Sequence, residues 1–381
     1  MDHLQDNHDT LKTLNTLSGL SKHRWAPLED PNFPFADFDF LTCLEQSDCV
    51  GERTGWFPFF FVLESQGTIK EVMINYLKNN SYGEYIFDWQ WADAFAHHNI
   101  PYYPKFVAAI PFTPATGPKI LHGQENNPPK ILGALKPLVA ESPASSAHFL
   151  YLSENEIPWF AEGDWILRDS MQYHWVNQGY QNFADFLTSL SGKKRRQIQR
   201  ERRHLEGEGV VFNWLTGDDL KEESGRRFYQ FYRTTIDKKC SIPYLTEEFF
   251  ARICETMKDR VVICAASLNG SIIGASLSFF KGQNLYGRYW GATHPMRYLH
   301  FELCYYQLID FAIERGFKLF EAGAQGDHKL ARGFDPVKTR SAHYIKHRAF
   351  AKAIATYVEE ESLSVNQVVR HQKEHGAYRK K

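Results

Sequence analysis

The chain of 381 residues is longer than one hydrophobic core usually organises, so two domains are expected. With 44 basic and 45 acidic residues its net charge is -1, which excludes a protein that coats nucleic acid over its whole surface but allows a local basic patch. Aromatic residues reach 15% of the chain, a share that suggests aromatic-lined clefts or a membrane-facing surface in addition to cores.

Residues 1–32 form a polar lead-in without the basic start and apolar centre of a secretory signal. No apolar stretch reaches the roughly 18–20 residues of a spanning helix. The expectation is a cytoplasmic, reduced protein, with the inner membrane face as a peripheral contact. None of the six cysteines forms a C-x-x-C pair, and Cys264 and Cys304, set in apolar runs, read as small core residues.

A first domain is expected over 33–190. Phe38–Gln46 reads as a helix, and two apolar runs between Trp56 and Tyr76 flank Ser65-Gln66-Gly67, a hairpin signal. The insertion from Asn79 to Asn99 joins acids to aromatics. Glu84, Asp88 and Trp89 are therefore substrate-binding candidates, for an amine or a sugar-like group, with ordinary loop packing as an equal account. A strand over Phe106–Ile110 precedes the rigid loop PFTPATGP, bracketed by Tyr103, Lys105 and Lys119. A helix over Ile131–Ala140 then leads to a strand, Phe149–Leu152.

Residues 191–208 are expected to form a basic connecting helix. Seven of the fourteen residues in SGKKRRQIQRERRH are Lys or Arg, and Glu201 is the lone acid. Leu190, Ile198 and Leu205 give it a sparse apolar stripe. The plain reading is a solvated surface helix. So many cations repel one another without an anionic partner, so Lys194, Arg195 and Arg196 are candidates for donor phosphate. A cofactor, a tRNA acceptor stem or anionic lipid headgroups would supply it.

A second domain, 209–381, repeats the order hairpin, strand, helix, strand and ends in a C-terminal helix. Val261–Ser267 and Ser271–Phe280 flank Asn269-Gly270, a strong hairpin turn. Leu285–Trp290 is the next strand, Phe301–Arg315 the helix, and a last strand ends at Glu321. After it come three glycines among Gln325, Asp327, His328, Lys329 and Arg332. Glycine lets a ligand approach the main chain closely.

Six segments carry a family resemblance: GEYIFDWQWADAF (83–95), YYPKFVAAIPFTPATGPKIL (102–121), QYHWVNQGY (172–180), the basic helix, GRYWGATH (287–294) and FEAGAQGDHKLARGF (320–334). Together they resemble the FemAB-like N-acyltransferases of the GNAT superfamily, often labelled peptidoglycan biosynthesis proteins. The resemblance implies an α/β (α+β) fold of two tandem GNAT-like domains, each a mixed, largely antiparallel sheet flanked by helices. It also implies transfer of an acyl or aminoacyl group from an activated donor to an amine of a cell-envelope precursor or lipid. The usual pyrophosphate loop, R/Q-x-x-G-x-G/A, has no clear copy here. Its nearest approach is Arg288-Tyr289-Trp290-Gly291-Ala292, which weakens the case for acetyl-CoA. Acyl-CoA, an acyl-carrier protein or aminoacyl-tRNA is the expected donor co-substrate, with no tightly bound cofactor, no metal and no DNA partner.

Such chemistry needs a group that accepts the amine proton. Glu321 is the first candidate, His328 the second and His174, flanked by Gln172 and Trp175, the third. Gln325 is a candidate to stabilise the oxyanion, and Trp290 to line the substrate site. Lys329, Arg332 and Arg288 are candidates to bind phosphate or carboxylate. A non-enzymatic protein that binds RNA or an anionic membrane surface through the basic helix is the main alternative. A metal hydrolase is remote: His294, His300, His328 and Asp327 lack any ligand spacing.

Overall fold

A computed structural model describes residues 9–123, 129–324 and 326–379. The contacts divide the chain into two units. The first gathers the chain up to Asp30 with Phe35–Ser170 and Thr339–Ser364; the second holds Pro31–Pro34, Met171–Lys338 and the chain from Val365 on. The division falls after Ser170 rather than at 190, and the chain returns to the first unit near its end. Strands Ile166–Val176 and Asp335–Ile345 and helix Arg348–Glu374 therefore contribute one part to each unit.

The second unit is one mixed sheet flanked by helices. Its strands run in the order Val211–Thr216, Val261–Leu268, Ser271–Lys281, Asn284–Ala292, Leu319–Glu321 and the end of Ile166–Val176. All neighbours are antiparallel except Asn284–Ala292 and Leu319–Glu321, which run parallel. Asn269 (φ 52°) and Gly270 (φ 77°) both take the left-handed conformation of a tight hairpin turn. At Gly291 a Cβ would lie 1.7 Å from the Phe231 carbonyl, so glycine there lets helix Glu222–Lys238 seat directly on the sheet. The expected helix after this sheet strand is interrupted: Leu299–Phe301 and Gln307–Glu314 are α-helical, and Glu302–Tyr306 is a π turn.

The first unit differs from the second in having two sheets. Its hairpin, Phe60–Ser65 and Thr68–Met73, joins Asp9–Leu14 and Ile120–His122 in a separate four-stranded antiparallel sheet. The other sheet has Trp56–Pro58, Tyr76–Lys78, Lys105–Ala108, Ser146–Phe149 and the end of Asp335–Ile345. Again one pair is parallel, Lys105–Ala108 with Ser146–Phe149, among antiparallel neighbours. Among the described residues no helix is long and apolar enough to cross a membrane.

Candidate functional site

In the second unit the parallel ladder is short. It pairs Asn284, Leu285 and Tyr286 with Leu319, Phe320 and Glu321, and it ends there. Just beyond, the pairing of Asn284–Ala292 with Ser271–Lys281 slips at Leu277/Ser278, which makes Arg288 an extra residue on its strand. A cavity of about 80 Å³ opens at this point, lined by Gly287, Arg288, Trp290, Ala322 and, from the helix side, His300, Cys304 and Tyr305. The π turn sets Cys304 and Tyr305 against it. The Ser278 hydroxyl also lines the cavity, is fully buried, and has no hydrogen-bond partner among the described residues. A space of this size has room for the carbonyl end of a chain.

Glu321 stands directly opposite His174 on the neighbouring antiparallel strand, with Oε2 3.9 Å from His174 Nε2. Both side chains are buried. Gln172 Oε1 lies 3.3 Å from the same nitrogen. Burial, with the charge of Lys329, pushes His174 down to about 3, so the ring is neutral at pH 7. Lys329 is itself buried and donates to the Gly323 carbonyl at 2.8 Å. Burial, with Arg288 adding to it against Cys304, lowers its amine to about 8.

The structure thus brings together Glu321, His174, Gln172 and Lys329, and separately places Arg288 and Trp290 on the cavity. Side chains alternate along strands, and Phe320 and Trp175 pack in the core against Leu308, Ile309 and Phe311. Glu321 and His174 consequently face away from that helix, whereas the cavity opens toward it, and the two meet only where the strands part. Trp175 is corrected from a substrate-binding candidate to a core residue, its ring tilted against Tyr180 and edge-on to Phe186. Arg332 is also corrected. Its guanidinium is buried, lies 3.0 and 3.1 Å from the two Glu201 oxygens, and rests 3.4 Å above the Phe301 ring, so it is an internal ion pair and not a ligand for a substrate anion. His328 is exposed and shares a 2.8 Å hydrogen bond with the Tyr305 hydroxyl, on the helix side. Gln325 lies outside the described residues.

The basic helix forms as expected, over Gly192–Gly207. Its buried stripe is Ile198, Glu201 and Leu205, so Glu201 points inward to Arg332, Tyr306 and Gln197. Arg202 turns to Glu302 at 3.0 Å and Asp310 at 3.6 Å. Lys193, Arg196, Arg200 and Arg203, all exposed, recur at helical spacing on one face, while Lys194 and Arg195 are half-buried.

The first unit holds a second polar cluster. Lys78 and Lys105, opposite one another on adjacent strands, are both fully buried. Lys105 Nζ donates to Ser81 Oγ at 2.9 Å, to Glu84 Oε2 at 2.9 Å and to Asp88 Oδ2. The Tyr102 hydroxyl also donates to Asp88 Oδ2, at 2.6 Å. Behind Tyr102, His148 and His343 meet Nδ1 to Nδ1 at 2.7 Å, and each Nε2 bonds a serine hydroxyl, Ser146 or Ser341. One ring must donate at Nδ1 and the other accept. Burial drives His148 down to about 3 and His343 well below the usual range. Burial also raises Glu84 to about 7 and lowers Lys78 to about 7, while Asp88, although buried, is held low by Lys105. Trp89 lies at the rim, its ring 5.0 Å from Tyr82. Sequence reasoning found Glu84 and Asp88 but not Tyr102, His148 or His343. Its one available signal was a lysine at position 105 inside an apolar strand.

Among the described residues no group of three His, Cys, Asp or Glu side chains is placed to hold a metal ion. No curated protein matches the chain by sequence. Solved structures do match over most of its length. FemX aligns with a TM-score of 0.53 at 11% identity, covering 90% of this chain and all of FemX. A conserved protein of unknown function from Bacteroides thetaiotaomicron aligns at 0.52 and 11%, covering 88% of this chain and 99% of its own. L-PGS from Bacillus licheniformis aligns at 0.50 and 12%, covering 83% and 95%. At such identities the likeness is one of fold. The family model for FemAB_like proteins, described as peptidoglycan biosynthesis/recognition, matches residues 16–380, and the chain belongs to that family.

Proposed function

We propose that the second unit transfers an acyl or aminoacyl group from an activated donor, an aminoacyl-tRNA ester or an acyl thioester, to an amine of a cell-envelope precursor or lipid. The observation that carries this is the end of the parallel ladder at Tyr286 and Glu321, where a small polar cavity and a buried carboxyl–imidazole pair lie on the two sides of one gap. A linear donor laid into the gap places its carbonyl beside the Ser278 hydroxyl and Arg288, which polarise it. The amine nitrogen attacks the carbonyl carbon, a C–N bond forms, and the C–O or C–S bond of the donor breaks. The amine proton passes to Glu321 or His174, and the Lys329 ammonium supplies one to the leaving oxygen or sulfur. The exposed cationic face of the basic helix supports a donor carried on a polyphosphate chain, and so favours aminoacyl-tRNA. The FemAB_like family description supports a cell-envelope acceptor.

The test incubates the purified chain with aminoacyl-tRNA or acyl-CoA and a panel of cell-envelope amines, with product detected by mass spectrometry. Glu321→Gln is expected to lower turnover about 100-fold or more while circular dichroism stays unchanged. Full turnover in both Glu321→Gln and His174→Ala would remove the assignment.

A further inference from the structure

Lys329 sits in a six-residue 3₁₀ turn, Asp327–Arg332, flanked by two glycines at positive φ, Gly326 at 118° and Gly333 at 88°. Runs of 3₁₀ helix longer than about three or four residues are uncommon, because their hydrogen bonds are poorly aligned. Glycine at both ends leaves the backbone free to swing. Yet the buried amine stands close enough to His174 for its charge to lower that ring. A turn of this kind has to be held from outside.

It is held at both ends. At the start, the hydroxyl of Tyr173, on the strand that also carries His174, donates to Asp327 Oδ1 at 2.7 Å and lies 2.8 Å from the Gln372 side-chain amide. At the end, the Tyr378 hydroxyl donates to the Gly333 carbonyl at 2.7 Å. Tyr378 is itself fastened to the start of the basic helix. It bridges Leu190, the Ala377 carbonyl accepts from Ser191 N at 2.9 Å, and Arg379 N donates to the Ser189 carbonyl at 3.1 Å. Just inside that end, Arg332 is paired with Glu201 of the same helix. Burial, with the bond to Asp327 adding to it, raises the Tyr173 hydroxyl to about 12, and burial raises that of Tyr378, so both keep at pH 7 the proton they donate. Neither tyrosine lines the cavity.

We propose that Tyr173 and Tyr378 are positioning residues for the transfer: their hydroxyls hold the turn Asp327–Gly333 at its two ends and thereby keep Lys329 beside His174 and Glu321. For its consequence this rests on the transfer reading; for its geometry it rests on the hydrogen bonds alone. A group that gives a proton to a leaving atom has to stay within about 0.5 Å of its working position. The bond from the Lys329 amine to the Gly323 carbonyl ties the turn only to the chain that leads into it. The tyrosines tie it instead to the strand of His174 and, through the tail, to the basic helix. Each tie is one hydroxyl hydrogen, so phenylalanine removes the tie and keeps the ring that packs against the core.

The experiment compares the full wild-type chain with Tyr173→Phe and Tyr378→Phe in the transfer assay and in a chemical footprint. In the assay each variant is expected to lower kcat about tenfold or more with the KM values for donor and acceptor unchanged, because only the placement of the proton donor is altered. Asp327→Asn, which keeps an acceptor for the Tyr173 hydroxyl, is expected to retain most of the turnover that Asp327→Ala loses. In the footprint, acetic anhydride at pH 8 followed by peptide mass spectrometry is expected to spare Lys329 in the wild type, where it is 2% exposed, and to acetylate it several-fold faster in both variants. The buried thiols of Cys254 and Cys264, probed with iodoacetamide, are expected to stay unreacted throughout, a pattern that unfolding of this unit cannot imitate. A wild type that transfers nothing would remove the transfer reading, while the footprint still decides whether the tyrosines hold the turn. Equal protection of Lys329 in all three chains, unchanged kcat in both variants, or reaction of Cys254 and Cys264 alongside Lys329 would overturn the proposal.

Discussion

Glu201→Gln tests whether the basic helix is anchored by its buried acid. In the folded chain Arg332 Nη2 donates to both Glu201 oxygens at 3.0 and 3.1 Å, Nη1 donates to the His328 carbonyl at 2.8 Å, and the Tyr306 hydroxyl donates to the same carboxylate. Both partners are at most 4% exposed, so solvent does little to screen them. Glutamine keeps the shape and one acceptor oxygen but leaves a buried guanidinium without a counter-charge. Breaking a buried pair from one side costs about 3–5 kcal/mol. The assay is urea unfolding followed by near-ultraviolet circular dichroism. Replacing both partners by Met removes the charge along with its partner, and is expected to recover most of that loss. A loss below about 1 kcal/mol in Glu201→Gln would refute the reasoning and return Arg332 to the list of groups free to bind a substrate anion.

Lys329 carries a pH prediction. Its folded amine, lowered to about 8, is neutral above that pH, whereas the unfolded amine stays charged up to about 10.5. Between these values the unfolded chain holds the extra proton, so stability rises with pH across that window and the burial penalty is complete below it. Lys329→Met is expected to flatten that rise and to be more stable than wild type at pH 7 by urea unfolding; an unchanged slope would count against the buried amine. For the cationic face, Lys193, Arg196, Arg200 and Arg203 replaced together by Gln are expected to reduce the salt dependence of tRNA binding by about three to four in log–log slope. Filter binding from 50 to 300 mM salt measures it, and an unaltered slope assigns the tRNA contact elsewhere.

Local patterns in the sequence were read well where the physics is local. The helix over Phe38–Gln46, both hairpin turns and the basic helix depend on spacing and turn chemistry within a dozen residues, and they stand where expected. Glu321 was legible as a carboxyl delivered by an apolar strand into glycines. Arg332 was not legible as structural, because its partner Glu201 lies 131 residues away. Trp175 and His174 are sequence neighbours with opposite fates, and only strand alternation against a defined core tells which one is buried as packing. The pairings of Glu321 with His174 and of His148 with His343 span long stretches of chain, across which no periodicity carries information.

The two units differ in what their equivalent pairs can do with a proton. In the first, the two imidazoles are committed to each other and to Ser146 and Ser341, and to take up a proton there would bury a second positive charge near Lys105. That pair is a poor base. In the second, a carboxyl group faces a neutral imidazole 3.9 Å away, and neither is bonded to the other. The lysines diverge in the same sense. Lys105 has all three N–H groups bound to side chains, whereas Lys329 donates to the Gly323 carbonyl and its amine is lowered by burial to about 8. Under the proposed transfer, proton transfer is therefore expected of the second unit, whereas the charges of the first are fixed by Lys105 and Lys78.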